Sequence, residues 1–163
     1  MRSIFFALLA IASTACGGGG EEQVLSPTER TSEVDDVTTA SGLTVRLELT
    51  AASVAGGEPL SGTLHIDNGT DAAISDPQCD LIRSRHALVR PGESEPSGGH
   101  WNALDHDCGG ITYEPGEEES VALIFATNAA DGEPLPSGRY DAVVDVPGTT
   151  QNLVAPVEVT TSE

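Results

Sequence analysis

Residues 43–68, LTVRLELTAASVAGGEPLSGTLHIDN, contain two runs in which apolar and polar residues alternate. Alternation with a period of two is typical of a strand that has one face against a hydrophobic core and the other face in solvent. A connection containing Gly56 and Gly57 joins the runs, so the stretch predicts a strand, a turn and a second strand. The predicted inward residues of the two strands are Leu43, Val45, Leu47 and Leu49, then Leu60, Gly62, Leu64 and Ile66.

Further extended runs occur at residues 119–127, 139–146 and 153–160. In the first of them, both sides are apolar: Val121, Leu123 and Phe125 lie on one side, and Ala122, Ile124 and Ala126 on the other. A strand that is apolar on both sides is typical of the middle of a covered sheet, so this run predicts a central strand.

Turn signals punctuate the chain at Pro91-Gly92, Pro115-Gly116 and Pro147-Gly148, and no convincing helical stripe follows residue 15. Short strands at turn-punctuated spacing predict an all-β protein, an antiparallel β-sandwich of seven to nine strands.

Composition limits both the size and the partners of the protein. A chain of 163 residues with 38% hydrophobic content suits one well-cored domain. The 7 basic and 26 acidic residues give a net charge of −19, which repels nucleic acid backbones. We therefore expect one folded domain and no nucleic acid partner.

The N-terminus has the features of an export signal. Arg2 precedes an apolar run at residues 4–11, and small residues lead to Cys16. This pattern resembles a bacterial lipoprotein signal, although Ser13 stands where that family prefers an aliphatic residue. The resemblance implies that residues 1–15 are removed, that Cys16 is lipidated, and that the protein is anchored to the plasma or outer membrane of a bacterial cell envelope. The alternative is ordinary secretion, with Cys16 left as a thiol.

Residues 16–41 predict a tether. After the Cys come four glycines, then a stretch with six carboxylates and one Arg. So few large apolar groups cannot offset the entropy of ordering, and we expect this segment to be disordered, with the folded domain at residues 42–163.

Cys79 and Cys108 form an even pair in an exported chain, where disulfides form and persist. We predict a bridge between them. The alternative, two free thiols in a metal or catalytic site, lacks the usual short Cys spacing.

The folded region resembles a known family in its order of motifs. An Asn-Gly turn follows the second strand, YEPGEEESVALIF follows a Cys, and LPSGRYDAVVDV precedes the end. This order resembles immunoglobulin-like domains of bacterial envelope lipoproteins, including those similar to the bacterial intracellular proteinase inhibitor family. The resemblance implies an immunoglobulin-like sandwich, and says little about activity because such sandwiches serve many purposes.

Residues 100–108, HWNALDHDC, form the richest cluster of polar groups. A solvated loop beside a disulfide explains the cluster; a metal site is the alternative, with His100, Asp105, His106 and Asp107 as candidate ligands. Trp101 is a candidate binding anchor, or a partly buried structural residue. Asn68-Gly69-Thr70 has the form of a glycosylation sequon, which we interpret as part of a turn.

The sequence contains no G-x-S-x-G, no phosphate-binding loop and no nucleophile beside a base at motif spacing. We therefore expect no enzyme and no cofactor. The leading hypothesis is a binding or structural module on a membrane tether, facing a protein or glycan partner. The alternatives are a proteinase inhibitor that uses the loop at residues 90–100 or 131–137, and the metal-binding module described above.

Overall fold

A computed structural model describes residues 32–33, 36–103 and 109–161 of the chain. These residues form twelve strands, of which nine have three residues or more, and they contain no helix. The strands are β1 (Ser32–Glu33), β2 (Val37–Thr38), β3 (Thr44–Leu49), β4 (Ser53–Ala55), β5 (Leu60–Asp67), β6 (Ile74–Asp76), β7 (Arg85–Val89), β8 (Asn102–Ala103), β9 (Ile111–Tyr113), β10 (Glu118–Phe125), β11 (Gly138–Asp145) and β12 (Leu153–Thr160). Accordingly, the described ranges include no helix that could span a membrane.

Two five-stranded sheets form the sandwich. The first sheet has the order β1-β3-β5-β10, with β2 also paired to β3, and the second has the order β4-β12-β11-β7-β8. A small third sheet pairs β6 with β9. All pairs are antiparallel except β4 with β12. The predicted all-β antiparallel sandwich is confirmed.

The core lies between the two large sheets and uses the predicted faces. β3 pairs with β5 in the register Thr44↔Asp67 to Leu49↔Gly62. Every predicted inward residue of this pair is buried, which confirms the alternation argument. The second sheet adds apolar side chains from three strands, among them Leu88, Tyr140, Ala142, Val144, Leu153, Ala155 and Val157.

The connection between β3 and β5 is not the simple turn that the sequence predicted, because it contains the short strand β4. It crosses to the second sheet, where β4 pairs in parallel with β12. Gly56 then passes very close to the backbone of the loop before β11. A Cβ added to Gly56 would stand 2.8 Å from the Leu135 carbonyl oxygen. The glycine pair therefore permits a close crossing between the sheets as well as a change of direction.

The strand order is that of an immunoglobulin-like sandwich: β3, β5 and β10 are neighbours in the first sheet, and β7, β11 and β12 are neighbours in the second. A tyrosine corner accompanies it: Tyr140, near the start of β11, is fully buried and its hydroxyl donates to the Pro136 carbonyl oxygen at 2.9 Å. This hydrogen bond fixes the loop that brings the chain from the first sheet to the second.

The prediction that residues 119–127 form a central strand is wrong. Within the part of the chain that the structure describes, β10 pairs with β5 alone and lies at an edge of the first sheet. Its outer face is solvated, and Ile124 is 61% exposed. Alanine and isoleucine occupy outer positions here without a second layer to cover them, which periodicity alone does not reveal.

The predicted domain boundary at residue 42 falls too late. β1 and β2 both lie inside the segment that we predicted to be a tether, and both pair with β3. Two-residue strands carry little periodicity, so the sequence gives no sign of them. The predicted signal peptide, Cys16 and the tether up to residue 31 lie outside the described residues.

Cys79 lies in a turn that Asp76 organises. The Asp76 carboxylate accepts hydrogen bonds from the backbone N–H groups of Asp80 at 3.0 Å and Leu81 at 3.1 Å. Cys79 is fully buried. Cys108 lies outside the described residues, so the pairing of these two cysteines stays a prediction.

Candidate functional site

Trp101 lies beside the outermost strand of the second sheet. It comes one residue before β8, which pairs with β7 through Arg85↔Ala103 and His86↔Asn102. The indole is half-buried, and the Arg85 guanidinium carbon sits 5.5 Å from the centroid of its ring. A guanidinium at this distance attracts the face of the ring, so Arg85 holds the indole against the outer face of the sheet.

Arg85 is itself fixed by Asp145 on the neighbouring strand. Arg85 on β7 and Asp145 on β11 are direct cross-strand neighbours. The Asp145 carboxylate accepts from Nε at 3.2 Å and also from the terminal Nη2 of Arg85. Both side chains are partly exposed, so water screens the attraction and the pair stabilises the fold only weakly. Its main effect is to orient the guanidinium over Trp101.

An apolar row crosses the same face of the second sheet. Ala87, Val143 and Val154 are cross-strand neighbours on β7, β11 and β12. Ala87 and Val143 are only 4% and 7% exposed, whereas Val154 is 43% exposed. We call Trp101, Arg85, Asp145 and this row the tryptophan surface. It combines a half-buried aromatic ring, one exposed valine beside two covered apolar residues, and a fixed pair of opposite charges.

The outer face of the first sheet has a different chemistry. His65 on β5 lies 3.2 Å from the Glu48 carboxylate through Nε2 and 3.2 Å from the Glu118 carboxylate through Nδ1, with the Ser120 hydroxyl at 3.1 Å from Nδ1. These contacts link β3, β5 and β10 across the face. They form a polar network in which each side chain already has a partner.

His86 is a buried residue that we did not single out from the sequence. It lies inside the sandwich, 3% exposed, with Nε2 at 3.1 Å from the Ile124 carbonyl oxygen of β10 and the ring edge-on to Phe125. Burial lowers the pKa of His86 below 6.5, and the hydrogen bond to Ile124 opposes that shift. The signal was available: in RHALV, His86 shares the parity of the inward Leu88.

The predicted metal loop is only partly described. His100 is exposed, with Nδ1 at 3.0 Å from the Gly98 carbonyl oxygen. Asp105, His106 and Asp107 lie outside the described residues. Among the residues that are described, no group of three His, Cys, Asp or Glu side chains could hold a metal ion.

Asn68 is fully buried at the end of β5 and uses both polar atoms of its side chain. Its amide donates to the carbonyl oxygens of Ala72 at 2.9 Å and Tyr113 at 2.7 Å. Its Oδ1 accepts from the backbone N–H of Thr70 at 3.1 Å and from the Thr70 hydroxyl at 2.7 Å. The sequon position therefore joins two turns, as the turn interpretation requires.

The two loops considered for a proteinase inhibitor lie side by side. The Ser97 backbone N–H donates to the Leu88 carbonyl oxygen at 2.8 Å, and an added Cβ on Gly99 would stand 2.7 Å from the Ala130 side chain. In the second loop, Leu135 is buried and its N–H donates to the Thr127 carbonyl oxygen at 2.8 Å. The longest continuous exposed stretch lies at residues 90–95 in the first loop and at residues 131–134 in the second.

Two clefts are small by the standard of ligand pockets. One of about 200 Å³ is lined by Thr39, Ser41, Asp76, Asp80 and Pro147 among others, and one of about 130 Å³ lies beside His65. Pockets that enclose small molecules usually measure about 300–1,000 Å³.

No protein-family model matches the chain, and no curated protein matches it. Among solved structures, it is similar to a β-glucosidase from Listeria innocua, at 17% identity and a TM-score of 0.47, over 74% of this chain. A β-glucosidase from Erythrobacter marinus is similar at 15% identity and a TM-score of 0.46, over 80% of this chain. The chain spans 16% of the length of each enzyme. These likenesses are too weak to support an argument about function.

Proposed function

We propose that the protein is a non-catalytic module of the bacterial cell envelope, held by lipid on Cys16, which binds a protein or glycan partner through the tryptophan surface. The observation that supports the proposal most directly is Trp101 fixed by Arg85 beside an apolar row on an outer face. Half-buried aromatic side chains with an ordered Arg are frequent anchors of contact surfaces.

The chemistry of the surface defines the class of partner. The partly exposed indole and Val154 offer apolar contact, and the Arg85–Asp145 pair offers a donor and an acceptor in fixed positions. A sugar ring presents an apolar face with hydroxyls at its edge, and a protein segment with an aliphatic side chain presents a similar combination. The positive charge of Arg85 is balanced by the negative charge of Asp145. Binding should therefore depend little on ionic strength.

Trp101 is the single tryptophan of the chain, which makes its fluorescence a direct test. The full chain is titrated with purified peptidoglycan fragments, with envelope polysaccharides and with purified envelope proteins. We expect a saturable change in emission with one of these probes, and a loss of affinity of about tenfold or more in Arg85→Gln, because the indole loses its orientation.

Ile124→Thr is the matched control, since Ile124 is a large exposed apolar residue on the other sheet. Equal affinity in the parent chain, Trp101→Phe and Arg85→Gln, measured by calorimetry, would overturn the assignment of the tryptophan surface. Absence of any saturable signal across the three classes of probe would overturn the proposed function itself.

A further inference from the structure

The free edge of β10 differs from the other edges of the two large sheets. In the described part of the chain, the outermost strands β1, β2, β4 and β8 have two or three residues each, whereas β10 has eight. Short edge strands prevent other chains from pairing with a sheet, and a long regular edge invites such pairing. Among the described residues, β10 is therefore the longest strand that stands outermost in either large sheet.

The backbone groups at this edge can be assigned from the ladder. In an antiparallel pair, alternate residues direct both N–H and C=O toward the partner strand. The Ile124 carbonyl oxygen points away from β5, because it lies 3.1 Å from His86 Nε2 of the other sheet. The backbone groups of Ser120 and Ala122 therefore also point away from β5, where no described strand pairs with them.

The side chains along the edge carry a distinct pattern of charge and apolarity. Glu117, Glu118 and Glu119 stand at its beginning, and the cross-strand neighbour of Glu118 is Asp67. At its other end, Ile124 is 61% exposed on the outer face. An added strand would cover Ile124 at one end and meet carboxylates at the other, of which Glu118 already lies 3.2 Å from His65 Nδ1.

We propose that the free edge of β10 binds an extended, positively charged segment of another protein, which adds to the first sheet as a further strand. Main-chain hydrogen bonds to Ser120 and Ala122 supply the affinity, and the carboxylates select for Lys or Arg. A second copy of this chain is a poor occupant, since each copy carries a net charge of −19. The proposal is independent of the tryptophan surface, which lies on the other sheet.

The probe is a blocked octapeptide with two lysines followed by alternating valine and threonine, titrated into the full chain by calorimetry. We expect saturable binding that weakens as ionic strength rises. A copy of the peptide with N-methyl groups on alternate amides cannot donate along one side, and should bind at least about tenfold more weakly, which is about 1.4 kcal/mol. Replacing the two lysines with glutamate should abolish binding.

Ala122→Pro removes an outward N–H from the edge, and Ala122→Val is the matched control that keeps this donor. We expect loss of binding in the first variant and retention in the second, with protection of the Ser120 and Ala122 amides from hydrogen exchange on binding to the parent chain. If Ala122→Pro fails to fold, the comparison of the two peptides still decides.

Three results would overturn the proposal: no binding of the lysine peptide, equal binding of its N-methylated copy, or exchange protection confined to other strands. Trp101→Ala should leave the affinity for the peptide unchanged, so failure at one surface is distinguishable from failure at the other.

Discussion

His86 links the two sheets through a group that can gain a charge. Its pKa in the folded chain is lowered by burial, so between that value and the ordinary value of 6.5 the unfolded chain binds more protons than the folded chain. The free energy of unfolding therefore falls as the pH drops through this window, by at most about 1.4 kcal/mol per pH unit for one such group. Above 6.5 the contribution is constant.

We predict that the parent chain loses more stability than His86→Gln between neutral pH and about pH 5, because glutamine does not titrate in this range. Urea denaturation at a series of pH values measures the difference. His100→Gln, at an exposed position, should follow the parent chain. Parallel loss of stability in the parent and in His86→Gln would contradict the assignment.

The buried side-chain amide of Asn68 connects two turns by hydrogen bonds. Asn68→Ala leaves the Tyr113 carbonyl oxygen without its donor inside the fold. Burying an unpaired polar group costs about 1–3 kcal/mol, so we predict a loss of that size in the free energy of unfolding, measured with urea. Thr70→Val removes one hydroxyl at a less buried position and should cost less. A larger effect of Thr70→Val would show that the Asn68 network is not the main connection.

At the scale of the strand, β10 separates what alternation can and cannot predict. The period of two correctly predicts that Val121, Leu123 and Phe125 face the core. It cannot distinguish a covered outer face from a solvated one when the outer residues are themselves apolar, so the position of β10 in the sheet was predicted wrongly. Sheet order depends on which strands pair across the chain, which local sequence does not encode.

The same limit applies to the tryptophan surface. Trp101 could be predicted as a candidate from its residue type and its place in a loop. Arg85 and Asp145 could not, since they are 60 residues apart and meet only through the register of β7 with β11. The sequence gives each strand its faces, and the fold then decides which outer residues become neighbours.

A pair of substitutions tests the edge assignment of β10. Leu123 is 1% exposed and Ile124 is 61% exposed on the opposite face of the same strand. Leu123→Ala should lower the free energy of unfolding by about 2–5 kcal/mol, and Ile124→Ala by less than about 1 kcal/mol. Comparable losses in chemical denaturation of the two variants would restore the central-strand interpretation.

At the scale of the whole molecule, the predicted bridge between Cys79 and Cys108 would close a loop of about 30 residues, and in the chain-entropy model this stabilises a fold by roughly 3.5 kcal/mol. We predict that a reductant lowers the melting temperature and that peptide mapping recovers one linked pair containing these two cysteines. Cys16→Ser should leave both results unchanged. Recovery of Cys79 linked to Cys16 would contradict the pairing.

The proposed lipid on Cys16 would hold the sandwich at a membrane. Because β1 pairs Ser32 with Leu49, the chain enters the fold at the end of β3, and the proposed tether is therefore shorter than the sequence suggested, at residues 17–31. We predict that the parent chain, expressed in a bacterial host, fractionates with membranes and carries lipid by mass spectrometry. Cys16→Ser should appear in the soluble fraction with an unchanged melting temperature, since the anchor and the core share no contacts in this proposal. Membrane association that persists in Cys16→Ser would show that another part of the chain holds the protein at the surface.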